Sequence, residues 1–317
     1  MARVAVVGVG AIGGYFAAQL FRSGHDLSLC VRTPFDRLVV ESGEAEQRVE
    51  APVLTRPEQA VEVDWVFLAT KAHQSAAAGD RLSALCGRET RGVVVMQNGV
   101  EQVERVTPLV GTTAVIPAVV LCGAEALAPG HIRHHGYSEL KVPAGALSAE
   151  LEALFEGSEA KIAPQADFVT ELWRKLLQNA VASPITALSG CRLGVFRRAD
   201  VQVQGAALAE ECVAVARAAG ASLGPQDAGA VLEGLAAVAP EMGSSMLYDR
   251  MAGRPLEHDA ITGAVVRFGE RFEIATPVSR SMLALLAANS AAAERRAARG
   301  ERTEGDAGEK ARAGRVA

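Results

Sequence analysis

A glycine-rich turn lies near the N-terminus, between an apolar stretch and an amphipathic helical pattern. The stretch Arg3–Val7 is typical of a strand. In a turn of this spacing Gly8 permits the tight bend, Gly10 lets the backbone approach a pyrophosphate, and Gly13 lets helix and strand pack closely. Free N–H groups at the helix N-terminus attract phosphate. The turn predicts a nucleotide site, and a glycine turn without a ligand is the alternative. Its residues are Gly8, Val9, Gly10, Ala11, Ile12 and Gly13.

The second predicted strand ends without an acidic residue. This strand is Asp26–Val31, and it runs into Arg32. NAD-binding proteins usually carry Asp or Glu at this point, where the carboxylate binds the 2′-hydroxyl of the ribose. A guanidinium instead suits a 2′-phosphate in charge and in bidentate geometry. Arg32 therefore favours NADP(H) as the cofactor, and an ordinary surface arginine is the alternative.

Polar residues follow two further predicted strands at the point where each strand ends. Trp65–Ala69 runs into Thr70, Lys71 and Ala72, and Val93–Met96 runs into Gln97, Asn98 and Gly99. Ligands of open α/β sheets bind beyond the carboxyl ends of the strands. Lys71 and Asn98 are therefore expected where the nicotinamide end of a cofactor could lie. Ordinary loop polarity, or a simple turn at Asn98 and Gly99, is the alternative.

A polar stripe crosses an otherwise apolar helical segment in the second half of the chain. Lys175, Asn179 and Ser183 are four residues apart and therefore lie on one face of a helix. A lysine can give a proton to an oxygen that gains negative charge, and neutral polar groups can orient a carbonyl and a hydroxyl. On spacing alone, an exposed lysine on a solvated face is the simpler interpretation.

Further polar candidates lie closer to the C-terminus. Ser244 and Ser245 could cap a helix that begins at Met246, or they could hold a carboxylate. Glu257 is either a loop acid or a ligand contact, and local chemistry does not decide between these. The histidines and cysteines show no metal-ligand spacing, and no Gly-x-Ser-x-Gly elbow occurs. We therefore predict no metal ion and no serine-type acyl transfer.

The elements that must position these residues alternate between strand and helix in the first half of the chain. Several strands are apolar throughout, which is typical of parallel strands covered on both faces. The alternation predicts an α/β fold with a doubly wound parallel sheet of the Rossmann type. Helices are predicted over Ala11–Ser23 and Gln74–Ala84, and a further strand over Thr113–Leu121. The residues around Gly136, within His131–Pro143, predict a short antiparallel hairpin.

The pattern after Pro164 becomes helical. From residue 291 to residue 317 the chain has almost no large apolar residue, so we predict a disordered or frayed charged tail. The predicted domains are a Rossmann NADP-binding domain over 1–165, an all-helical domain over 166–290 and the tail over 291–317. The long helices are predicted over Phe168–Ser183, Ala199–Ala219, Pro225–Ala237 and Pro277–Asn289.

The composition argues against several classes of protein. The 317 residues include 32 basic and 37 acidic side chains, a net charge of −5, so we predict no nucleic-acid or membrane partner. The longest apolar stretch, Ala114–Ala128, contains Pro117 and Glu125 and falls short of the roughly 20 residues that span a bilayer. Five scattered cysteines without a CxxC pair indicate thiols in a reducing compartment. Because the N-terminus does not read as a signal peptide, we expect a cytoplasmic protein.

Several ordered motifs together resemble the ketopantoate reductase family. They are GVGAIG at 8–13, TKAHQ at 70–74, QNGV at 97–100, WRKLLQNAVASPITAL at 173–188 and SSMLYDRMAGRPLEHDAITG at 244–263. The resemblance covers most of the chain and implies an N-terminal Rossmann domain and a C-terminal helical domain. It implies reduction of the 2-keto group of ketopantoate by NADPH, which yields pantoate for the synthesis of pantothenate and coenzyme A.

The resemblance also implies roles for the candidate side chains. Lys175 matches the catalytic lysine that protonates the ketone oxygen. Lys71 and Asn98 match residues at the nicotinamide and ribose end of the cofactor, and Glu257 matches a glutamate that contacts the cofactor. The implied substrate-binding positions are Asn98, Asn179, Ser183 and Ser245, and the implied cofactor-binding positions are the glycine turn, Arg32, Lys71, Asn98 and Glu257.

The chain departs from the family pattern in the half that meets the substrate. Ser183 stands where the family usually has Asn, and Thr262 stands where Asn is common. Arg192 opens a stretch that in the family often carries another substrate-contacting Asn. The expected substrate is a small 2-keto acid, ketopantoate first. A paralogous reductase of another 2-keto or imino acid, and a non-catalytic NADPH-binding sensor, are the alternatives. Whether the protein forms a homodimer is left open by the sequence.

Overall fold

The computed structural model describes residues 1–299, which form two compact units, Met1–Leu172 and a second unit that begins at Trp173. The strands are β1 Arg3–Val7, β2 Asp26–Cys30, β3 Leu38–Ser42, β4 Ala45–Val49, β5 Val53–Leu54, β6 Trp65–Leu68, β7 Gly92–Val95, β8 Val115–Pro117, β9 Val119–Ala128, β10 His131–Pro143 and β11 Lys161–Gln165. The helices are α1 Ala11–Arg22, α2 Gly79–Leu85, α3 Gln102–Val106, α4 Ala146–Leu154, α5 Phe168–Ser189, α6 Ala199–Ala218, α7 Pro225–Ala237, α8 Ser245–Met251, α9 Ala264–Arg271 and α10 Pro277–Ala298.

The first unit is built on a six-stranded parallel sheet with the strand order β5-β2-β1-β6-β7-β8. Its central strands are buried on both faces, which explains why they read as continuous apolar runs. In β1, Val4 and Val6 belong to the core shared with α1 and β3, whereas Ala5 and Val7 belong to the core shared with α2. The predicted Rossmann-type sheet is confirmed.

A second sheet, absent from the sequence prediction, shares a core with helix α1 and with one face of the first sheet. It has the order β11-β10-β3-β4, and β9 pairs with β10. The hairpin predicted around Gly136 is wrong, because β10 is one continuous strand whose antiparallel partner is β9. The turn lies at Gly130 (φ +75°), whereas Gly136 (φ +129°) marks a shift of register within the strand. Gly136 thus accommodates a β-bulge within the strand, at a point where the sequence had suggested a turn. Thr113–Leu121 likewise divides between β8 and β9.

The predicted helix over Gln74–Ala84 is shorter in the structure. The segment begins with two 3₁₀ turns, and α2 starts only at Gly79. The Ser75 hydroxyl donates to the carbonyl of Ala72 at 2.9 Å and to the side chain of Gln97 at 3.0 Å. Serine side chains that bond nearby carbonyls compete with regular helix formation, which accounts for the difference.

The second unit is helical throughout the part that the structure describes. Helix α5 extends to Ser189, beyond the predicted end, although it contains Pro184. Helix α10 extends to Ala298, so the predicted tail is wrong over residues 291–298. These residues are mostly Ala, Glu and Arg, which have high helix propensity and continue a helix that has already formed. The rest of the predicted tail, 300–317, lies outside the described residues. Among the described helices, none is long and apolar enough to cross a membrane.

Candidate active site

The glycine turn between β1 and α1 has the geometry of a phosphate-binding loop. Gly8 has φ +93°, and a Cβ there would lie 2.7 Å from the Thr70 backbone nitrogen. A Cβ at Gly13 would lie 1.9 Å from the carbonyl oxygen of Gly8, so close packing requires glycine at both positions. A Cβ at Gly10 would meet no atom of the described residues within 4 Å. Protein packing therefore does not explain Gly10, whereas close approach of a ligand does.

The remaining residues of this turn connect it to the fold. Val9 is buried, and Ile12 packs against the core of the first unit. Ala11 is the first residue of α1, and Gly10 is the residue that precedes the helix. The first N–H groups of α1 have no acceptor within the helix and carry its positive dipole end. The residues present thus fit the diphosphate of a dinucleotide.

Arg32 lies two residues beyond the end of β2. The last residue of that strand, Cys30, accepts a hydrogen bond from the backbone N–H of Gly8 at 2.9 Å, so the strand end adjoins the glycine turn. The Arg32 side chain is exposed and forms no hydrogen bond or ion pair with residues 1–299. Its guanidinium is therefore available for an anionic group bound beside the turn.

The loops after β6 and β7 are joined by a network that sequence reasoning missed. The side-chain amide of Gln97 donates to the Thr70 hydroxyl at 3.0 Å and accepts from the Ser75 hydroxyl at 3.0 Å. The amide of Gln102, also buried, donates to the carbonyls of Gln97 and Ala118. These hydrogen bonds from buried amides tie the two loops together, although the Oε1 atom of Gln102 is buried without a partner among the described residues. The sequence signal for this network was the position of Thr70 and Gln97 at the ends of two strands.

Lys71 and Asn98 lie in these two loops, as predicted from the strand ends. Both are partly buried. Lys71 precedes the 3₁₀ turn Ala72–Gln74, and Asn98 is followed by Gly99, whose φ of +104° only glycine adopts readily. The Gln97 network fixes the backbone on which both side chains stand. The structure therefore brings Lys71 and Asn98 to the same edge of the sheet as the glycine turn.

The polar stripe on α5 begins with a lysine that has no partner in the part of the chain that the structure describes. Lys175 is partly buried and forms no hydrogen bond or ion pair within residues 1–299. Burial lowers the pKa of Lys175 below its usual 10.5, because the charged form loses hydration. One turn on, Asn179 is partly buried, and two turns on, Ser183 is 1% exposed. An ammonium that is partly dehydrated and unpaired is suited to protonating an oxygen.

The two adjacent serines have separate tasks. Ser244 is the N-cap of α8, because its hydroxyl accepts from the Leu247 N–H at 3.1 Å. It also lies 2.7 Å from the hydroxyl of Thr186, which in turn donates to the Ala182 carbonyl at 2.7 Å. Thr186 is fully buried and was missed in the sequence. Ser245 is exposed, so it is the serine available to a ligand.

The paired serines allow a direct test by stability. We expect Ser244→Ala to lower the free energy of unfolding by about 1–2 kcal/mol, since it removes both the cap and the hydrogen bond with Thr186. The matched variant Ser245→Ala should change it by less than about 0.5 kcal/mol, because that side chain is exposed. Urea denaturation measures both. Equal losses would contradict the assignment of Ser244 as the cap.

Glu257 and Arg192 differ in what the structure offers a ligand. Glu257 is 4% exposed and lies just before a π-helical turn, Asp259–Gly263, that includes Thr262. Such turns are frequent at functional sites. Arg192 instead donates to the Glu241 carbonyl at 2.5 Å. Its guanidinium also lies 6.0 Å from the centre of the Tyr248 ring. These contacts explain Arg192 as a residue that anchors its own loop.

Comparisons with known proteins show similarity over most of the chain. A family model for ketopantoate reductase PanE/ApbA matches residues 4–146, and the model of the C-terminal part of that family matches residues 167–290. The chain is 42% identical over 289 residues to a 2-dehydropantoate 2-reductase of Mycobacterium tuberculosis, covering 90% of this chain and 97% of that protein.

Solved structures give the same result. A PanE/ApbA family ketopantoate reductase from Ralstonia eutropha superposes with a TM-score of 0.85 at 28% identity, covering 92% of this chain and 99% of that one. The dimeric ketopantoate reductase of Staphylococcus aureus superposes with a TM-score of 0.82 at 25% identity over the same shares of the two chains. The sequence similarity thus extends over both structural units.

Proposed function

Because the chain belongs to the ketopantoate reductase family, we propose that it reduces the 2-keto group of ketopantoate to pantoate, with Lys175 as the proton donor. It is an NADP-dependent oxidoreductase of the 2-dehydropantoate 2-reductase type. The observation that carries the assignment of Lys175 is its partly buried, unpaired ammonium at the start of the polar stripe on α5.

The residues of the first unit account for cofactor binding. NADPH, when bound, supplies the hydride. The glycine turn and the N-terminus of α1 hold the diphosphate, and Arg32 holds the 2′-phosphate. Lys71 and Asn98 hold the nicotinamide and ribose end. Glu257 of the second unit is proposed as a further cofactor contact, in keeping with its burial.

The residues proposed to bind the keto acid lie mainly on α5 and α8. Charge develops on the ketone oxygen as the carbonyl carbon is reduced, and the Lys175 ammonium stabilises that charge and gives up a proton. Asn179 and Asn98 orient the substrate through their amides. Ser245 and Ser183 complete the proposed substrate set, and the exposed hydroxyl of Ser245 is suited to a carboxylate.

The test is NADPH oxidation followed by absorbance, with ketopantoate and a panel of other small 2-keto acids. Fast turnover on ketopantoate supports the proposal. Ser245→Ala should raise KM for ketopantoate about tenfold, as expected for the loss of one hydrogen bond to a charged group, with NADPH affinity unchanged. NADPH binding without turnover on any keto acid would instead favour a sensor, and the unpaired Lys175 argues against that outcome.

A second candidate is the reduction of a different small 2-keto or imino acid. It is favoured by Ser183, which is shorter than the family's asparagine and is 1% exposed. A substrate larger or less polar than ketopantoate would suit that change. Turnover on another acid at a kcat/KM above that for ketopantoate would support this candidate.

Two further properties belong to the proposal. We propose a homodimer, supported by the dimeric state of the similar Staphylococcus aureus enzyme. Light scattering during gel filtration would show it as twice the mass of 33.1 kDa. We also propose a cytoplasmic location, supported by the five cysteines, none of which is paired in a disulfide among the described residues.

A further inference from the structure

Helix α2 carries a buried arginine without a partner among the described residues. Arg81 is 9% exposed, and its Nε atom is buried without any hydrogen-bond partner. Within residues 1–299 its guanidinium forms no hydrogen bond or ion pair. Burial of an uncompensated guanidinium destabilises a fold, because the charge loses hydration and gains nothing in return. Other arginines in the same unit, such as Arg3 and Arg91, pair with carboxylates.

The position of Arg81 relates it to the end of β2. Its neighbours on α2, Leu82 and Leu85, pack in the same core as Cys30, the last residue of β2. Burial raises the pKa of the Cys30 thiol to about 11, and the charge of Arg81 acts on that thiol in the opposite direction. Helix α2 thus packs in the core at this strand end, two residues before Arg32.

We propose that Arg81 binds the 2′-phosphate of NADP(H) together with Arg32. The inference deepens the proposed function and rests on it, since it takes dinucleotide binding at the glycine turn as given. Arg32 approaches the phosphate from the loop after β2, and Arg81 approaches it from helix α2. Two guanidinium groups match the charge of a phosphate dianion better than one, and both can bind it in bidentate fashion.

The 2′-phosphate is favoured over the diphosphate by the location of Arg81. The diphosphate is already served by the glycine turn and the first N–H groups of α1. The end of the second strand is where dinucleotide-binding folds recognise the 2′ position of the ribose. Helix α2, which carries Arg81, shares a core with that strand end through Leu82, Leu85 and Cys30. A bound phosphate would also provide the counter-charge that the protein itself does not.

The experiment compares Arg81→Met with Arg88→Met in the full chain. Methionine keeps the length of the buried stem and removes the charge. Arg88 is an exposed arginine just past the C-terminal end of α2, so the control makes the same change at the opposite end of the helix. Isothermal titration gives the affinity of each variant for NADPH and for NADH. We expect Arg81→Met to weaken NADPH binding about ten- to a hundredfold and NADH binding less than about twofold. Arg88→Met should change neither.

Other results would overturn the inference. Equal weakening of NADPH and NADH binding would assign Arg81 to a part of the dinucleotide that both cofactors share. Unchanged binding of both would show that Arg81 does not contact the cofactor. If the unaltered chain binds neither dinucleotide, the proposed function fails first.

Thermal unfolding without ligand supplies a further readout: Arg81→Met should not lower Tm, because it removes an unpaired buried charge. A lower Tm with unchanged preference for NADPH would show a structural role. Arg81→Lys keeps the positive charge but lacks the planar guanidinium that binds a phosphate in bidentate fashion. It should give an intermediate loss of NADPH affinity.

Discussion

Replacement of Lys175 by alanine should lower kcat for keto-acid reduction by about two to four orders of magnitude. The ammonium supplies both the proton and the positive charge that the ketone oxygen requires as negative charge develops on it. Lys175 has no protein partner within residues 1–299, so its removal should leave the folded structure intact. Stopped-flow or steady-state NADPH oxidation measures the loss, and far-UV circular dichroism with Tm verifies the fold.

The pH profile provides a second readout of the same residue. Lys175 can donate a proton only in its charged form, so kcat falls as pH rises through its pKa. Because burial lowers that pKa below the usual 10.5, the decline should begin at a lower pH than for an ordinary lysine. Lys175→Ala should abolish this alkaline decline in the residual rate. The matched variant Arg174→Ala alters an exposed cation on the same helix and should retain it. An unchanged alkaline limb in Lys175→Ala would refute the assignment.

Replacement of Arg32 by aspartate should weaken NADPH binding about a hundredfold or more while NADH binding changes little. The exposed guanidinium beside the glycine turn is lost, and the new carboxylate repels the 2′-phosphate. In NADH the same carboxylate faces a ribose 2′-hydroxyl, with which it can form a hydrogen bond. Fluorescence or calorimetric titration with both cofactors measures the change in preference.

The control for Arg32 is Arg88→Asp, which makes the same change of charge on an exposed residue beyond the far end of α2. It should leave the preference for NADPH unchanged, since surface charges separated by more than about 10 Å are largely screened in ordinary buffer. Equal weakening of NADPH and NADH by Arg32→Asp would contradict the assignment of Arg32 to the 2′-phosphate. That result would also weaken the case for Arg81, because both guanidinium groups are assigned to the same phosphate.

The fold was predictable where local pattern and tertiary environment agree. Strand β1 and helix α7 have the bounds expected from the sequence, Arg3–Val7 and Pro225–Ala237. In β1 an unbroken apolar run matches burial on both faces, and in α7 a proline at the first helical position matches its fixed backbone angle. The second sheet was missed because β3 and β10 pair across about 90 residues of sequence. Strands of mixed polarity give no local sign of so distant a partner.

The sequence by itself determined the chemistry that this chain can carry. The spacing of Gly8, Gly10 and Gly13, the arginine after β2 and the lysine on α5 all depend on residue type and on distances of a few residues. These features depend only on local strands, turns and helices, so they can be recognised without knowledge of the tertiary structure.

Only the tertiary structure decided which of those side chains have partners. It separated Ser244, which caps α8 and bonds Thr186, from its exposed neighbour Ser245. It also buried Arg81 without a counter-charge, which no pattern along the chain could indicate. The physical reason is that dehydration and hydrogen bonding depend on what packs against a group. In a folded chain those neighbours come from distant parts of the sequence.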